Sequence, residues 1–357
     1  MKVVLVHDYL TQRGGAERVV LSMTRAFPHA PLYTSLYDPR ATFPEFGEID
    51  VRTLPINRIS PLRRHHRAAL PLLAPSFSSL RISADVVICS SSGWAHGACV
   101  EGRKIVYCYT PARWLYQSDR YLRGRSQPIR AAAGVLRSRL ERWDKRAAAS
   151  ADCYLAISTI VAERVKSIYG LDAEIVPPPA TITPDGPTRA LAGVETGFVL
   201  CVSRLLPYKN VDAVVHAFAE LPEERLVVAG TGPQERVLRA VAGPNVSFAG
   251  RVTDDELRWL YANCRALVAA SHEDFGLTPL EAAGFGKPTA ALRFGGFLDT
   301  VEEGQTGVFF EEPTPQAIAA GVRELLAASW SEEAATSSAA RFSEARFIQR
   351  LDAAATG

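Results

Sequence analysis

The chain has 357 residues, with 47% apolar and 22% charged side chains, which places it among globular proteins and gives it more length than one hydrophobic core usually serves. A net charge of +2 excludes generalised nucleic-acid binding. No apolar run reaches the length of a spanning helix, and the apolar start Val3–Val6 is cut short by His7-Asp8, so neither a membrane span nor a signal peptide is expected and the chain is placed in the cytoplasm.

Taken in order, residues 2–7 read as a buried strand, and Gln12-Arg-Gly-Gly-Ala-Glu17 as a glycine-bearing loop into a helix over 17–27. This is the strand-loop-helix unit of a nucleotide-binding lobe. It lacks the Gly-Lys-Ser/Thr ending of a P-loop and the three-glycine spacing of a dinucleotide fingerprint, which argues against a nicotinamide dehydrogenase. Gly14 and Gly15 are either a flexible turn or a place where backbone approaches a ligand. The stretch 58–67 gathers Arg58, Arg63, Arg64, Arg67, His65 and His66 beside an apolar segment. It reads as a solvated basic face or as a peripheral contact with an anionic membrane surface.

Strands over 84–89 and 104–109 follow, and the second opens into Tyr107-Cys-Tyr-Thr-Pro-Ala-Arg-Trp114 at a strand end, where ligands gather in open parallel sheets. A long helix over 128–149, a strand over 151–158 and a helix through Tyr169 complete the first half. Pro177-Pro-Pro179 and the turn residues through Pro187 mark a linker. The strand-helix alternation then restarts at Phe198 and runs to about residue 330. These boundaries predict an N-terminal domain over 1–178 and a C-terminal domain over 188–339, with an amphipathic helix from Ala340 onward. Gly230-Thr-Gly232 has no third glycine and reads as a turn. The six cysteines lie singly, without metal-ligand spacing, and read as reduced packing residues.

Two clusters carry chemistry. Arg204 and Lys209 flank a strand-to-helix loop. A lysine just before a helix N-terminus opposes the dipole by about 0.3–1 kcal/mol, a sign that a bound diphosphate would reverse. Ser271-His-Glu-Asp-Phe-Gly-Leu-Thr-Pro-Leu-Glu281 joins a strand to a helix, with Thr278 as the expected N-cap, Pro279 as the first helical residue and Glu281 as the acid of a capping box. The amides of such a helix end suit a phosphate. Glu273 and Glu281 suit a ligand rich in hydroxyls, because each carboxylate oxygen only accepts. Both acids also have a plain structural explanation, solvation for Glu273 and the cap for Glu281.

The motifs Gly14-Gly15-Ala-Glu17, Arg204 with Lys209, and Glu273 with Glu281, in this order along tandem lobes, resemble those of retaining glycosyltransferases of family 4. His7-Asp-Tyr-Leu10, Tyr107-Cys-Tyr-Thr-Pro-Ala-Arg113, Glu273-Asp-Phe-Gly276 and Gly295-Gly296 narrow the resemblance to the subgroup similar to WbaZ-type GDP-mannose-dependent mannosyltransferases. The resemblance implies the GT-B fold: two Rossmann-like doubly wound α/β domains facing across an interdomain cleft, with the C-terminal helix over 340–357 packed back on the first domain. It implies transfer of a hexose, mannose from GDP-mannose in the favoured case, to a glycan, lipid-linked or small-molecule acceptor. The nucleotide sugar is a co-substrate, and neither a further cofactor nor a metal is required.

Carried over residue by residue, Arg204 and Lys209 would hold the donor diphosphate, Glu273 the sugar hydroxyls, and Phe275, Gly276, Leu277 and Thr278 the sugar and phosphate through their amides. Glu281 would take the ribose, Arg251 and Val252 would border the base, and Gly14 and Gly15 would approach the diphosphate from the other lobe. The family stretch usually reads Tyr-Cys-His-Thr-Pro, and here Tyr109 replaces the histidine. A phenol with an ordinary pKa of about 10 does not serve as a base at neutral pH, but it can donate a hydrogen bond to a sugar hydroxyl. The alternatives are a nucleotide-sugar 2-epimerase of the same fold and a non-catalytic nucleotide-sugar-binding protein.

Overall fold

The computed structural model describes residues 1–64, 66–116 and 127–357, with the side chains of residues 66, 67, 114 and 127–136 outside the description. The chain divides into two compact units, Met1–Pro179 with Glu344–Gly357, and Ala180–Ser343.

The first unit is built on a parallel sheet of seven strands among the described residues. They are β1 (Val3–His7), β2 (Leu32–Thr34), β3 (Val51–Thr53), β4 (Arg81–Ser91), β5 (Cys99–Cys108), β6 (Cys153–Ala156) and β7 (Glu174–Ile175), in the order β3-β2-β1-β4-β5-β6-β7. β1 is buried at every position, as expected of a strand covered by helices on both faces. β4 and β5 are longer than the expected 84–89 and 104–109. Their N-terminal halves are partly exposed and polar, so apolar content alone marks only the inner part of each strand.

The second unit holds a parallel sheet of six strands among the described residues. These are β8 (Phe198–Val202), β9 (Leu226–Ala229), β10 (Val246–Gly250), β11 (Cys264–Ala269), β12 (Thr289–Leu292) and β13 (Gly307–Phe310), in the order β10-β9-β8-β11-β12-β13. Leu200, Val228, Leu267 and Ala291 lie fully inside its core with Phe198, Phe218 and Phe297. Burying each such aliphatic or aromatic side chain stabilises by about 1.5–3 kcal/mol.

In both sheets the chain builds outward from one strand, then returns to that strand's other side. The order reverses between β1 and β4 in the first unit and between β8 and β11 in the second. Loops leaving the carboxyl ends of such a strand pair diverge and leave a crevice where ligands bind.

One helix expectation needs correction. The final amphipathic segment does not run from Ala340: one helix ends there, Arg341–Ser343 turn, and a new helix spans Glu344–Thr356. That last helix belongs to the first unit, where Glu344 accepts from the guanidinium of Arg25 and Phe347 meets the Tyr107 ring edge-on at 5.6 Å. The helix expected at 128–149 spans Gln127–Ala149. Of the cysteines, Cys89, Cys108, Cys201 and Cys264 are buried free thiols, whereas Cys99 is exposed. No described helix is long and apolar enough to cross a membrane.

Candidate active site

In the second unit the reversal point lies between β8 and β11, and the two loops that leave it carry Lys209 and Glu273. After β8 the chain makes a short 3-10 turn, Pro207–Lys209. Asn210 follows at φ 53, the one non-glycine residue with positive φ among the described residues. Asparagine tolerates this left-handed conformation better than most residues. Its side chain secures the turn, donating from Nδ2 to the Ala270 carbonyl at 2.8 Å just beyond β11. The loop is thereby fixed across the crevice, and Lys209, 9% exposed, forms an ion pair with Oε1 of Glu273. Ser271 Oγ donates to the same carboxylate oxygen at 3.0 Å.

Tyr208 ties the two cations together. Arg204 Nη2 donates to its hydroxyl at 3.3 Å, and the Lys209 ammonium lies 5.1 Å from its ring centroid, within cation–π range. Arg204 itself is exposed and has no carboxylate partner among the described residues. The expected turn at Gly230-Thr-Gly232 is a backbone clasp instead. Leu205 N donates to Thr231 O at 3.0 Å and Gly230 N to Gly250 O at 2.8 Å, which links the loops after β8 and β9 to the end of β10. A Cβ on Gly230 would lie 2.0 Å from the Ser203 carbonyl, and one on Gly232 2.4 Å from that of Leu205, so the glycines are there for close approach. Arg251 and Val252 follow β10, two strands from β8; Arg251 is exposed and Val252 half-buried.

The helix after β11 requires a correction. It spans Leu277–Gly284 and is capped by Gly276 at φ 104, with no side-chain cap, so Thr278 is its second residue and Pro279 its third. Proline is tolerated there because the first amides of a helix have no intrahelical acceptor. Glu281 therefore closes no capping box. Its Oε1 accepts from Thr181 Oγ1 at 2.6 Å and its Oε2 from the Tyr261 hydroxyl at 2.9 Å, and the residue is 4% exposed. The uncapped helix start is held from the other side. Gly296 N donates to Glu273 O at 3.1 Å, and a Cβ on Gly296 would lie 2.1 Å from the backbone of Phe275. Phe275 and Gly276 thus lie in one tightly packed strand-end loop with Glu273, and Leu277 and Thr278 open the helix that follows it.

The first unit has its own polar assembly at the reversal between β1 and β4. Asp8, just past β1, accepts from the amides of Ser92 and Ala95, both at 2.6 Å, and so holds the loop after β4. Burial pushes its carboxyl up to about 6, and burial lowers the neighbouring His7 to about 4. His7 Nδ1 donates to Ser90 Oγ at 3.0 Å, Ser90 to the Tyr109 hydroxyl at 2.9 Å, and Tyr109 to the Ala16 carbonyl at 3.1 Å, an assignment in which every hydrogen has one acceptor. The hydroxyl expected to be available to a sugar is thus spent on the start of the helix Gly15–Ala26. Gly14 is the N-cap of that helix in extended conformation. A Cβ there would lie 2.6 Å from Oε2 of the buried Glu17, whose Oε1 accepts from Gln12. Glycine at 14 makes room for that carboxylate, while Gly15 is the first helical residue.

The two buried titrations oppose each other. The folded chain refuses the proton that an unfolded His7 takes below its ordinary 6.5, so stability falls as pH drops from 6.5 towards 4. The folded chain keeps the proton that an unfolded Asp8 releases above 3.8, so that contribution is lost as pH rises towards 6. Each is worth about 3 kcal/mol. Asp8→Asn is therefore expected to make the melting temperature fall more steeply than in the wild type between pH 6.5 and 4. Parallel melting curves over that range would remove the opposition.

Comparison with known proteins gives the following. Residues 13–183 match the family described as Glycosyltransferase Family 4, and residues 190–344 the family described as Glycosyl transferases group 1. A GDP-mannose-dependent alpha-(1-6)-phosphatidylinositol monomannoside mannosyltransferase of Mycolicibacterium smegmatis is 30% identical over 210 residues, 51% of this chain and 55% of that protein. The alpha-1,3/1,6-mannosyltransferase ALG2 of Homo sapiens is 26% identical over 356 residues, 85% of this chain and 82% of that protein. The chain thus spans about half the length of the first of these relatives. The crystal structure of Anabaena HepE in complex with UDP and glucose superposes with a TM-score of 0.70 at 17% identity, covering 100% of each chain. With the two doubly wound sheets, this likeness shows the GT-B fold.

Proposed function

We propose that this chain, which carries a family 4 glycosyltransferase domain and a group 1 domain in tandem on the GT-B fold, transfers a hexose from a nucleotide sugar with retention at the anomeric carbon and without a metal. GDP-mannose is the favoured donor, a reading supported by the resemblance of the motifs and by the mannosyltransferases among the relatives. The observation that carries the proposal is the Lys209–Glu273 pair across the reversal point of the second sheet, with the exposed guanidinium of Arg204 beside it. In the free protein the pair satisfies both charges. An ammonium has three donors, so Lys209 can keep Glu273 in place while it binds the diphosphate, and Arg204 adds a planar fork.

These fixed cations and the uncapped amides after Gly276 would stabilise the charge that develops on the departing diphosphate, where each such donor contributes about 3–4 kcal/mol. Glu273 would then accept from the sugar hydroxyls, and Glu281, with two lone pairs on each oxygen, would accept from the ribose while keeping Thr181 and Tyr261. The acceptor is a hydroxyl on a glycan, a lipid-linked sugar or a small molecule, and the leaving phosphate takes its proton. Calorimetric titration with GDP, UDP, GDP-mannose and UDP-glucose tests the donor: GDP compounds should bind at least tenfold more tightly, and a preference for UDP would overturn the guanine assignment. An inverted linkage in the product, read by NMR, would overturn retention.

Tyr109 enters as a positioning residue, because its hydroxyl joins the Ser90–His7 assembly to the helix start at Ala16. Tyr109→Phe is expected to lose about tenfold or more in kcat, to weaken the first unit by about 1–2 kcal/mol, and to leave GDP affinity unchanged. Wild-type kinetics in that variant would reduce Tyr109 to packing.

A further inference from the structure

The stretch 58–67 falls partly outside the described residues, since His65 and the side chains of His66 and Arg67 are not described, but its first part borders a cavity of about 470 Å³ in the first unit. Arg63 and Arg64 line this cavity with Asn57 and Ser60 on one side and Tyr37 and Arg40 on the other. Its position follows from the topology. Residues 37–40 come after β2 and residues 57–64 after β3, and the two strands pair in parallel, so both segments leave the same carboxyl edge of the sheet. The amide of Tyr37 donates to Asn57 Oδ1 at 2.9 Å and fastens one segment to the other.

The charge there is unbalanced. Several arginines of the chain are matched to acids, as in Arg25–Glu344, Arg52–Asp50, Arg341–Glu302 and Arg350–Glu174. Arg40, Arg63 and Arg64 have no carboxylate partner among the described residues. Asp38, the acid of the lining, accepts the Arg40 amide at 3.1 Å, and Arg63 Nη1 donates to the Asn57 carbonyl at 2.9 Å, which aims that side chain along the wall. Three guanidinium groups, those of Arg40 and Arg64 exposed to solvent, face one carboxylate, Asp38, around the cavity, which leaves an excess of positive charge that an anion would offset. The planar fork of arginine matches phosphate oxygens in pairs. The volume lies in the range of small-molecule sites and exceeds what a bare phosphate fills.

We propose that this cavity is a binding site for the phosphoryl group of a phosphate ester, and that the ester is the anionic end of the acceptor, which rests on the transferase reading above. Inorganic phosphate is the probe, titrated at low salt into the full chain carrying Arg204→Ala and Lys209→Ala so that the donor loops do not compete. In that background Arg40→Gln is expected to weaken phosphate binding about tenfold, and Arg63→Gln with Arg64→Gln to abolish it. Because Arg63 also supports the Asn57 carbonyl, Arg40→Gln serves as the variant without a structural role in its side chain. Vesicles of phosphatidylglycerol and of phosphatidylcholine separate the two sources of the ester. Capture by the anionic vesicles alone, lost with Arg63 and Arg64, identifies a lipid headgroup; phosphate binding without capture identifies a soluble ester. Phosphate affinity that is absent, or equal in all these proteins, overturns the site. GDP binding to the wild-type chain is measured alongside, so that failure of the donor reading is seen independently.

Discussion

Lys209→Ala is expected to lower kcat/KM for sugar transfer by about 100- to 1000-fold, the loss that follows removal of one fixed donor from a developing anion. GDP affinity should fall with it, because in the proposed donor site the ammonium would contact the diphosphate in the ground state as well. The cost in stability is smaller, about 1–3 kcal/mol, since Glu273 retains a quarter of its side-chain exposure and the hydrogen bond from Ser271. Lys209→Arg keeps the charge but replaces a compact three-donor group with a rigid fork in a nearly closed space, so it should rescue folding and GDP binding only in part. Full GDP affinity in Lys209→Ala would remove the lysine from the donor site.

The second large effect is expected at Glu281. Glu281→Gln retains one acceptor oxygen where the carboxylate offers two, and its amide nitrogen must face either Thr181 or Tyr261. That replacement should cost about 1–3 kcal/mol of unfolding free energy and weaken nucleotide binding about tenfold or more. Tyr261→Phe separates the two roles. It removes one supporting hydroxyl while leaving the charge, so a structural Glu281 predicts equal loss of stability in both variants, whereas a ribose-binding Glu281 predicts the larger KM effect in Glu281→Gln alone. Calorimetry and steady-state kinetics on the same preparations make the comparison. Wild-type nucleotide affinity in Glu281→Gln would leave the residue a buttress.

Glu281 also shows where local reading ends. Thr278-x-x-Glu281 has the spacing of a capping box, but a glycine at φ 104 starts the helix earlier, and the true partners lie 20 and 100 residues away. Lys209 and Glu273 could be placed at strand ends from the alternation of apolar runs and loops alone. Their meeting depends on the order β8-β11, which only the folded sheet reveals. Asn210 carried a weak signal, as an asparagine just before a helix, for the left-handed turn that holds Lys209. Tyr109 stood out by its identity, but the acceptor of its hydroxyl, Ala16, lies 93 residues earlier. The basic stretch was visible in composition, whereas Arg40 joins it through the parallel pairing of β2 with β3.

The most direct test incubates the protein with GDP-mannose and no acceptor, and follows free sugar and GDP by proton NMR. Slow release of mannose with equal GDP, lost in Lys209→Ala, is the predicted result. Intact GDP-mannose, or a sugar isomerised at carbon 2, would contradict it.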